Sequence, residues 1–268
     1  MSHGTNFSRL AADYAKKALV QRSAAETLMG LLGIGEQDDV LDLGCGTGHL
    51  TKRIRGLTRG KVVGVDAAEG MIRQARWENP ASDITFELAR AEELDYADAF
   101  DVIFCNSAFQ WFRQPHRAIA NCYRALRKNG RLGIQAPARQ EYCPNFVAAV
   151  RKVARTPELR AIFAHWTSPW LFLESADEYR ALFEGGGFHV PLARLETVKS
   201  WHSPDEVFRI FESGAAAGYL NQDFYSVPIS ATYLERFCQV VKEALSEQTD
   251  EKGGIELTFH RIFLIAVK

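Results

Sequence analysis

The sequence carries almost no net charge. Its 32 Lys and Arg residues are balanced by 33 Asp and Glu residues, which leaves −1 at pH 7 with neutral histidines. A protein whose main partner is nucleic acid or an anionic membrane usually shows a strongly basic balance. We therefore expect neither of these as the main partner.

Cysteine is scarce and scattered along the chain. There are five cysteines, and no two of them form a C-x-x-C pair. An odd, dispersed set fits neither a disulfide framework nor a zinc knuckle, and it favours a reducing compartment. No metal site is predicted.

Long hydrophobic runs are also lacking. None approaches the roughly 20 residues that a transmembrane helix needs. The opening MSHGTNFSRL has no apolar core of the signal-peptide kind. With 268 residues, 47% of them hydrophobic, we expect a soluble cytoplasmic protein built as one large domain or one domain with a sizeable insertion.

The first half of the chain alternates between strand and helix patterns. Strands are predicted at DDVLDLG, KVVGVDA, DITFELAR, FDVIFCN and RLGIQAP. Helical patterns separate most of them, and the last helix is predicted to run from Pro115 to the Asn129-Gly130 pair. This alternation implies parallel strands with right-handed crossovers, hence a doubly wound α/β sheet.

After residue 140 helical patterns dominate, until a C-terminal strand, IELTFHRIFLIAVK. We predict an N-terminal helix plus a ligand-binding core at 1–140. Helical insertions are predicted at 141–175 and 203–252, with the rest of the sheet domain at 176–202 and 253–268. The inserted helices should form a cap over the carboxyl ends of the strands, where doubly wound sheets bind ligands.

A glycine-rich turn, VLDLGCGTGHL, leads from the first strand into a helix through Gly44, Gly46 and Gly48. Such glycines let the backbone approach a ligand and adopt positive φ. A dinucleotide fingerprint counted from Gly44 would need glycine where His49 stands, which disfavours NAD, and the G-K-[ST] of a P-loop is missing.

Two carboxylates flank this turn. Asp42 precedes it and would repel a phosphate, but it suits a ligand with a cationic group such as an amino acid moiety. Asp66 ends the second strand, where a carboxylate can accept both hydroxyls of a ribose or cap the next helix.

Residues 38–137 resemble the class I S-adenosylmethionine-dependent methyltransferases in their motifs and in the order of those motifs. The resemblance implies a mostly parallel seven-stranded Rossmann-like sheet, and S-adenosylmethionine as cofactor with S-adenosylhomocysteine as product. It also implies that the loop passes the methionine part, that Asp66 holds the ribose and that Met71 packs near the adenine. The expected cofactor-binding residues are Asp42, Gly44, Cys45, Gly46, Gly48, Asp66, Ala67, Met71, Arg90, Ala91, Glu92 and Asn106.

One position departs from the family. After the third strand the family usually has an Asp that contacts the adenine amino group, but LARAEEL places Arg90 there. Because arginine only donates hydrogen bonds, Glu92 or a backbone carbonyl must accept instead, or stacking must hold the adenine. The Ala91 N–H remains available to an adenine nitrogen.

Two further stretches resemble particular branches of the family. The N-terminal NFSRLAADYAKKALVQ and the SAFQW motif are similar to malonyl-[acyl-carrier protein] O-methyltransferases, and LTFHRIFLIAVK with NSAFQW is similar to trans-aconitate methyltransferases. Both branches methylate carboxylates. The resemblance thus implies a small acid or an acyl thioester as acceptor, with an acyl-carrier protein as a possible partner.

A carboxylate is already ionised at neutral pH, so it needs alignment and water exclusion rather than a general base. We assign no catalytic residue. Gln110, Trp111 and Tyr14 are predicted to position the acceptor, and Asn106 is predicted to lie beside the glycine loop. The expected substrate-binding residues are Tyr14, Gln110, Trp111, Arg139, Trp166 and Trp170.

Other functions stay open from the sequence. A C- or O-methyltransferase of a quinone or phenol would need a deprotonated His or Tyr, and an inactive cofactor-binding module finds its support in Arg90. An NAD-dependent enzyme is the weaker alternative. Thiol or metalloid methylation would use Cys45, Cys105 or Cys143.

Overall fold

The structure is a computed structural model that describes residues 19–80 and 83–268. The chain divides into two compact units. The larger unit comprises residues 19–140, Leu171–Glu196 and Arg261–Lys268, and the smaller unit comprises Glu141–Trp170 and Thr197–His260. The expected boundaries lie after residues 140, 175, 202 and 252, whereas the observed ones lie after 140, 170, 196 and 260.

Within the described residues, seven strands form one sheet in the order β3-β2-β1-β4-β5-β7-β6. The neighbours from β3 to β5 run parallel, and β7 runs antiparallel to β5. The expected doubly wound, mostly parallel sheet is therefore confirmed. The strands are β1 Val40–Leu43, β2 Val62–Asp66, β3 Ile84–Leu88, β4 Phe100–Asn106, β5 Leu126–Pro137, β6 His189–His202 and β7 Ile255–Val267.

Helices separate the parallel strands and fill the smaller unit. Those of the larger unit are α1 Leu19–Leu32, α2 His49–Arg55, α3 Glu69–Glu78, α4 Pro115–Ala125 and α7 Ala176–Glu184. Those of the smaller unit are α5 Pro144–Val153, α6 Pro157–Phe163, α8 Pro204–Ser213, α9 Ala216–Tyr219 and α10 Ala231–Ser246. None of the described helices is both long and apolar enough to cross a membrane.

Two buried clusters show which residues face each side of the sheet. On one side Phe104 and Phe263 pack with Leu28 of α1, whereas on the other side Cys105 and Leu264 pack with α4 and α7. Because side chains alternate along a strand, even-numbered residues at the end of β4 and odd-numbered residues of β7 face α1.

The sequence-based boundary between α4 and β5 is wrong. The helix ends at Ala125, and β5 begins at Leu126 rather than after Gly130. Leu126 is fully buried and pairs with Phe100, and a register shift follows before Arg131 pairs with Val102. Burial of this leucine in the sheet outweighs the helical pattern that extends beyond it.

The smaller unit is built around aromatic rings. Trp166 stacks on Phe163 at 5.5 Å between ring centroids, and it donates a hydrogen bond from Nε1 to the Gly218 carbonyl at 2.9 Å. Trp170 packs edge-on against Tyr219 at 5.0 Å. These contacts account for both tryptophans as packing residues of this unit, and their expected place in an acceptor pocket stays a prediction.

Candidate active site

The glycine loop is folded back onto β2. The N–H groups of Gly44 and Cys45 both donate to the carbonyl of Val65, at 2.7 and 3.0 Å. Gly44 has φ +82°, and a Cβ placed on it would lie 2.2 Å from the Cβ of Ala108. Only glycine allows the loop after β1 to approach the turn after β4 this closely.

Asp42 is the third of the four residues of β1, just before this loop, and is buried. Its Oδ2 accepts a hydrogen bond from the Thr51 hydroxyl at 2.6 Å. Burial raises the pKa of Asp42 to about 7; the Thr51 hydrogen bond opposes the shift, and the charge of Asp66 adds to it. A cation placed beside this carboxylate would favour its ionised form, since opposite charges attract strongly where water is excluded.

Asp66 connects the loop to the turn that follows β2. Its Oδ2 accepts from the Gly46 N–H at 2.9 Å, and its Oδ1 accepts from the Ala68 N–H at 2.8 Å. Burial raises the pKa of Asp66 in spite of these bonds. Each carboxylate oxygen can accept a second hydrogen bond, so a pair of hydroxyls is still accommodated.

The turn after β4 carries a second group of polar side chains. Asp42 pairs with Phe104 across the sheet, so Asn106 lies level with Gly44. Ser107 has φ +56°, and its hydroxyl donates to Gln135 Oε1 at 3.1 Å. Gln110 is buried and donates from Nε2 to the Ser107 carbonyl at 2.9 Å.

Three buried polar atoms of the larger unit lack a hydrogen-bond partner among the described residues. They are Asn106 Oδ1, Gln110 Oε1 and Arg261 Nη1. All three residues lie at the carboxyl edge of β4 and β5, because Arg261 of β7 pairs with Pro137 at the end of β5. Unsatisfied buried polar groups are costly, and such a cluster indicates a ligand site.

Comparisons with known proteins agree with this geometry. A family described as "Methyltransferase domain" matches residues 41–134. An uncharacterized methyltransferase of Schizosaccharomyces pombe is 30% identical over 189 residues, which cover 67% of this chain and 70% of that protein.

The chain belongs to the class I S-adenosylmethionine-dependent methyltransferases. The expected enzyme class and the expected cofactor are thereby confirmed at the level of the family. The YcgJ protein of Bacillus subtilis shares the fold at 18% identity, with a TM-score of 0.61 and coverage of 92% of this chain and 98% of that one.

Two further relatives are named for their substrates. A trans-aconitate 2-methyltransferase of Methylobacterium nodulans is 27% identical over 259 residues, 96% of each chain. A malonyl-[acyl-carrier protein] O-methyltransferase of Acetivibrio thermocellus is 34% identical over 130 residues, which cover 47% of this chain and 45% of that protein. The aligned segment thus spans less than half of the latter relative.

The site residues fit the cofactor of this family. Its methionine part carries an ammonium group, which suits the buried carboxylate of Asp42 and the free acceptor oxygens of Asn106 and Gln110. The hydroxyls of its ribose suit the carboxylate of Asp66. S-adenosylmethionine contains no phosphate, so the loop does not need a phosphate site. When bound, S-adenosylmethionine supplies an electrophilic methyl group.

On the adenine side, Glu92 already has hydrogen-bond partners within the chain. Glu92 is buried, and its Oε1 accepts from the N–H groups of Arg113 and Gln114, at 2.8 and 3.1 Å. These hydrogen bonds fix the backbone of residues 113 and 114, directly before α4. Arg90 is exposed, and Met71 is buried in the first turn of α3. The adenine contacts of Ala67, Met71, Arg90, Ala91 and Glu92 stay predictions.

The residues predicted for the acceptor are divided between the two units. Gln110, Trp111 and Arg139 lie in the larger unit, near the ends of β4 and β5, whereas Trp166 and Trp170 belong to the smaller unit. Tyr14 lies outside the described residues. Arg139 is half-buried at φ +69°, and its guanidinium has no ion pair or hydrogen bond within the described chain.

The cysteines named for thiol chemistry are buried. Burial raises the pKa of Cys45 and Cys105 well above the ordinary thiol value, and that of Cys143 to about 12. A thiol that stays protonated at neutral pH is a poor nucleophile. The structure therefore disfavours the thiol and metalloid alternatives.

Several polar residues of the site were missed by sequence reasoning. Thr51 and Ser107 are small hydroxyl residues whose partners, Asp42 and Gln135, become neighbours only in the fold. Arg261 sits inside an apolar strand pattern. Its position at the sheet edge depends on the antiparallel pairing of β7 with β5, which the pattern does not reveal.

Proposed function

We propose that the protein transfers the methyl group of S-adenosylmethionine to a carboxylate oxygen of a small organic acid. The observation that carries this proposal is the kind of polar group found at the substrate side of the sheet edge. Asn106, Gln110, Gln135, Arg139 and Arg261 carry amide and guanidinium groups, which can hydrogen-bond to an acceptor but do not serve as a general base.

Such groups suit an acceptor that is already a nucleophile. A carboxylate has lost its proton above pH ~5, so no base has to remove one during the transfer. What the acceptor needs is alignment with the methyl group and a site that excludes water. The free, half-buried guanidinium of Arg139 suits the charge of the acid, because arginine binds carboxylates through two parallel hydrogen bonds.

The similarity to a trans-aconitate 2-methyltransferase over 96% of both chains supports a free polycarboxylic acid as the acceptor class. The cofactor is held by the loop of Gly44–Gly48, by Asp42 and by Asp66. On the acceptor side we assign alignment to Gln110 and Arg139. Trp111 and Tyr14 remain the other residues predicted to position the acceptor.

A second acceptor class is a malonyl group carried by an acyl-carrier protein. The identity of 34% to an enzyme named for that substrate favours it. Two basic segments, residues 113–117 and 150–155, would suit an acidic carrier. The first keeps Arg113 and Arg117 exposed and free of ion pairs within the described chain. In residues 150–155, Arg151 pairs with Glu141 and Lys152 with Glu247, which makes this segment the weaker candidate.

The pH dependence of the reaction tests the acceptor chemistry. With saturating S-adenosylmethionine, kcat/KM for the acid should stay flat from about pH 6 to 9, because the acceptor is ionised throughout. A phenol or carbon acid would instead give a rate that rises with the ionisation of a His or Tyr base. A rise of about tenfold per pH unit across neutrality would contradict carboxyl methylation.

A further inference from the structure

Arg261 is a buried cation that is only partly neutralised. Its side chain is 11% exposed, and its Nε and Nη2 both donate to the same oxygen, Oε2 of Glu196, at 3.2 and 3.1 Å. Nη1 is buried without a partner among the described residues. One edge of the guanidinium is thus occupied, while a donor on the other side is left unsatisfied.

The charge around this group is positive. Glu196 is shared with Arg194, whose Nη2 lies 2.9 Å from Oε1. Two arginines therefore face one carboxylate, and both guanidinium groups lie over the ring of Phe263, at 5.5 Å for Arg194 and 5.0 Å for Arg261. An anion at the free side of Arg261 would complete both its hydrogen bonding and its charge balance.

The position of Arg261 assigns it to the acceptor rather than to the cofactor. Gln135 pairs with Asn106 on one side and Phe263 on the other, and Arg261 pairs with Pro137 two residues further toward the carboxyl edge. The glycine loop lies on the opposite side of β4. Strand spacing and rise place the Cα atoms of Arg261 and Asn106 about 12 Å apart.

Arg261 also faces the same side of the sheet as the polar turn. It stacks on Phe263, which packs on the α1 side together with Phe104. Asn106 is two residues beyond Phe104 and so faces that side as well. An arginine side chain and a short carbon chain together span the gap between Asn106 and Arg261.

We propose that Arg261, oriented by Glu196, binds a second carboxylate of the acceptor, so that the preferred substrate is a di- or tricarboxylic acid. This inference rests on the proposed carboxyl methylation. In this arrangement one carboxylate lies near Gln110 and receives the methyl group. The other carboxylate fills the free side of the guanidinium and sets the orientation of the molecule.

The test compares acids that differ in one carboxylate. Binding of trans-aconitate and fumarate, and of crotonate as the matched mono-acid, is measured by calorimetry with S-adenosylhomocysteine present. Arg261→Gln should weaken binding of the polycarboxylates roughly 10- to 100-fold, the range for one hydrogen bond to a buried charge. The same substitution should leave the affinities for crotonate and for S-adenosylhomocysteine within about threefold of those of the wild-type protein.

A second variant separates recognition from stability. Glu196→Gln removes the negative charge but keeps a side-chain oxygen that can accept from Nε and Nη2 of Arg261, so the orientation is retained and polycarboxylate affinity should be kept or increased. If Arg261 only stabilises the fold, both variants lose melting temperature and lose affinity for all acids alike. Equal losses for fumarate and crotonate would overturn the subsite.

The two proposals fail separately. If the wild-type protein binds and methylates mono-acids as well as polycarboxylates, the Arg261 subsite is wrong while carboxyl methylation stands. If polycarboxylates bind in an Arg261-dependent way but no methyl ester forms, the proposed reaction is wrong while the anion-binding role of Arg261 stands. Failure of the wild-type protein to bind any polycarboxylate contradicts the subsite directly.

Discussion

Gly44 and Ala108 lie in direct contact, although they belong to turns that follow different strands. A Cβ added to Gly44 would come within 2.2 Å of the Cβ of Ala108, and the backbone of Gly44 is already at φ +82°. The contact ties the cofactor loop to the turn that carries Asn106 and Gln110. Disturbing the contact between Gly44 and Ala108 should therefore affect both the cofactor side and the acceptor side of the site.

Gly44→Ala should consequently be severe. The added methyl group clashes with Ala108 and also requires a left-handed conformation, so the expected loss in the free energy of unfolding is about 3 kcal/mol or more. Gly33→Ala is the matched control, because Gly33 has φ +54° and open space around it, and should cost only about 1 kcal/mol. Urea unfolding of both variants checks this, and equal losses would contradict the contact.

Cofactor binding should depend on the protonation of Asp42. Burial raises the pKa of Asp42 from the ordinary 3.8 to about 7, so the folded protein holds an extra proton between these values. Stability contributed by this proton is lost as pH rises through 7. The ammonium of the cofactor favours the ionised form, so affinity for S-adenosylhomocysteine should fall below pH 7, by up to about tenfold per pH unit.

Asp42→Asn isolates this effect. The variant should bind S-adenosylhomocysteine more weakly at about pH 8, and its affinity should fall much less below pH 7 than that of the wild type. Methylthioadenosine is the control ligand, because it lacks the ammonium but keeps the ribose that Asp66 is assigned to hold, and it should bind both proteins alike. Calorimetry at several pH values measures this, and a fall in affinity of wild-type size in Asp42→Asn would refute the assignment.

Gln110 should matter more for turnover than for cofactor binding. Its side-chain Nε2 donates to the Ser107 carbonyl, and its backbone carbonyl accepts from the Leu171 N–H at 2.8 Å. Gln110→Ala is expected to lower kcat/KM for the acid about 10- to 100-fold through loss of alignment. The exposed Gln140 provides the control variant Gln140→Ala. A larger effect on S-adenosylhomocysteine affinity than on kcat/KM would reverse this division of roles.

Arg139 should act mainly on acceptor affinity. Arg139→Gln removes a free, half-buried guanidinium and is expected to raise KM for the acid about tenfold or more, with a smaller change in kcat. The control is Arg117→Gln, because Arg117 is exposed and equally free of ion pairs within the described residues. Steady-state kinetics at saturating cofactor distinguishes the two, and similar KM values for both variants would contradict the role of Arg139.

The cofactor side of the site could be predicted well because its signals are local. The predicted strand FDVIFCN matches β4 residue for residue. Gly44, Asp42 and Asp66 stand at strand ends, where the topology of a doubly wound sheet fixes their surroundings. Short, continuously apolar strands leave little choice of register or face.

The acceptor side could not be predicted in the same way. Strand β6 shows no continuous apolar run, since its burial alternates along His189–His202, and it was not recognised as a separate strand. Arg261 lies within β7, and only the antiparallel pairing with β5 brings it opposite Pro137. Glu92 is another example, because its hydrogen bonds with the backbone N–H groups of residues 113 and 114 form only in the folded chain.

The chemical form of the product tests the central claim most directly. The protein is incubated with S-adenosylmethionine carrying an isotopically labelled methyl group and with a panel of polycarboxylic acids, mono-acids, phenols and quinols. The account predicts that the label appears as a methyl ester that alkali hydrolyses, formed with a polycarboxylic acid. Label recovered as an aryl ether or a carbon-bound methyl group, with no ester from any acid, would contradict it.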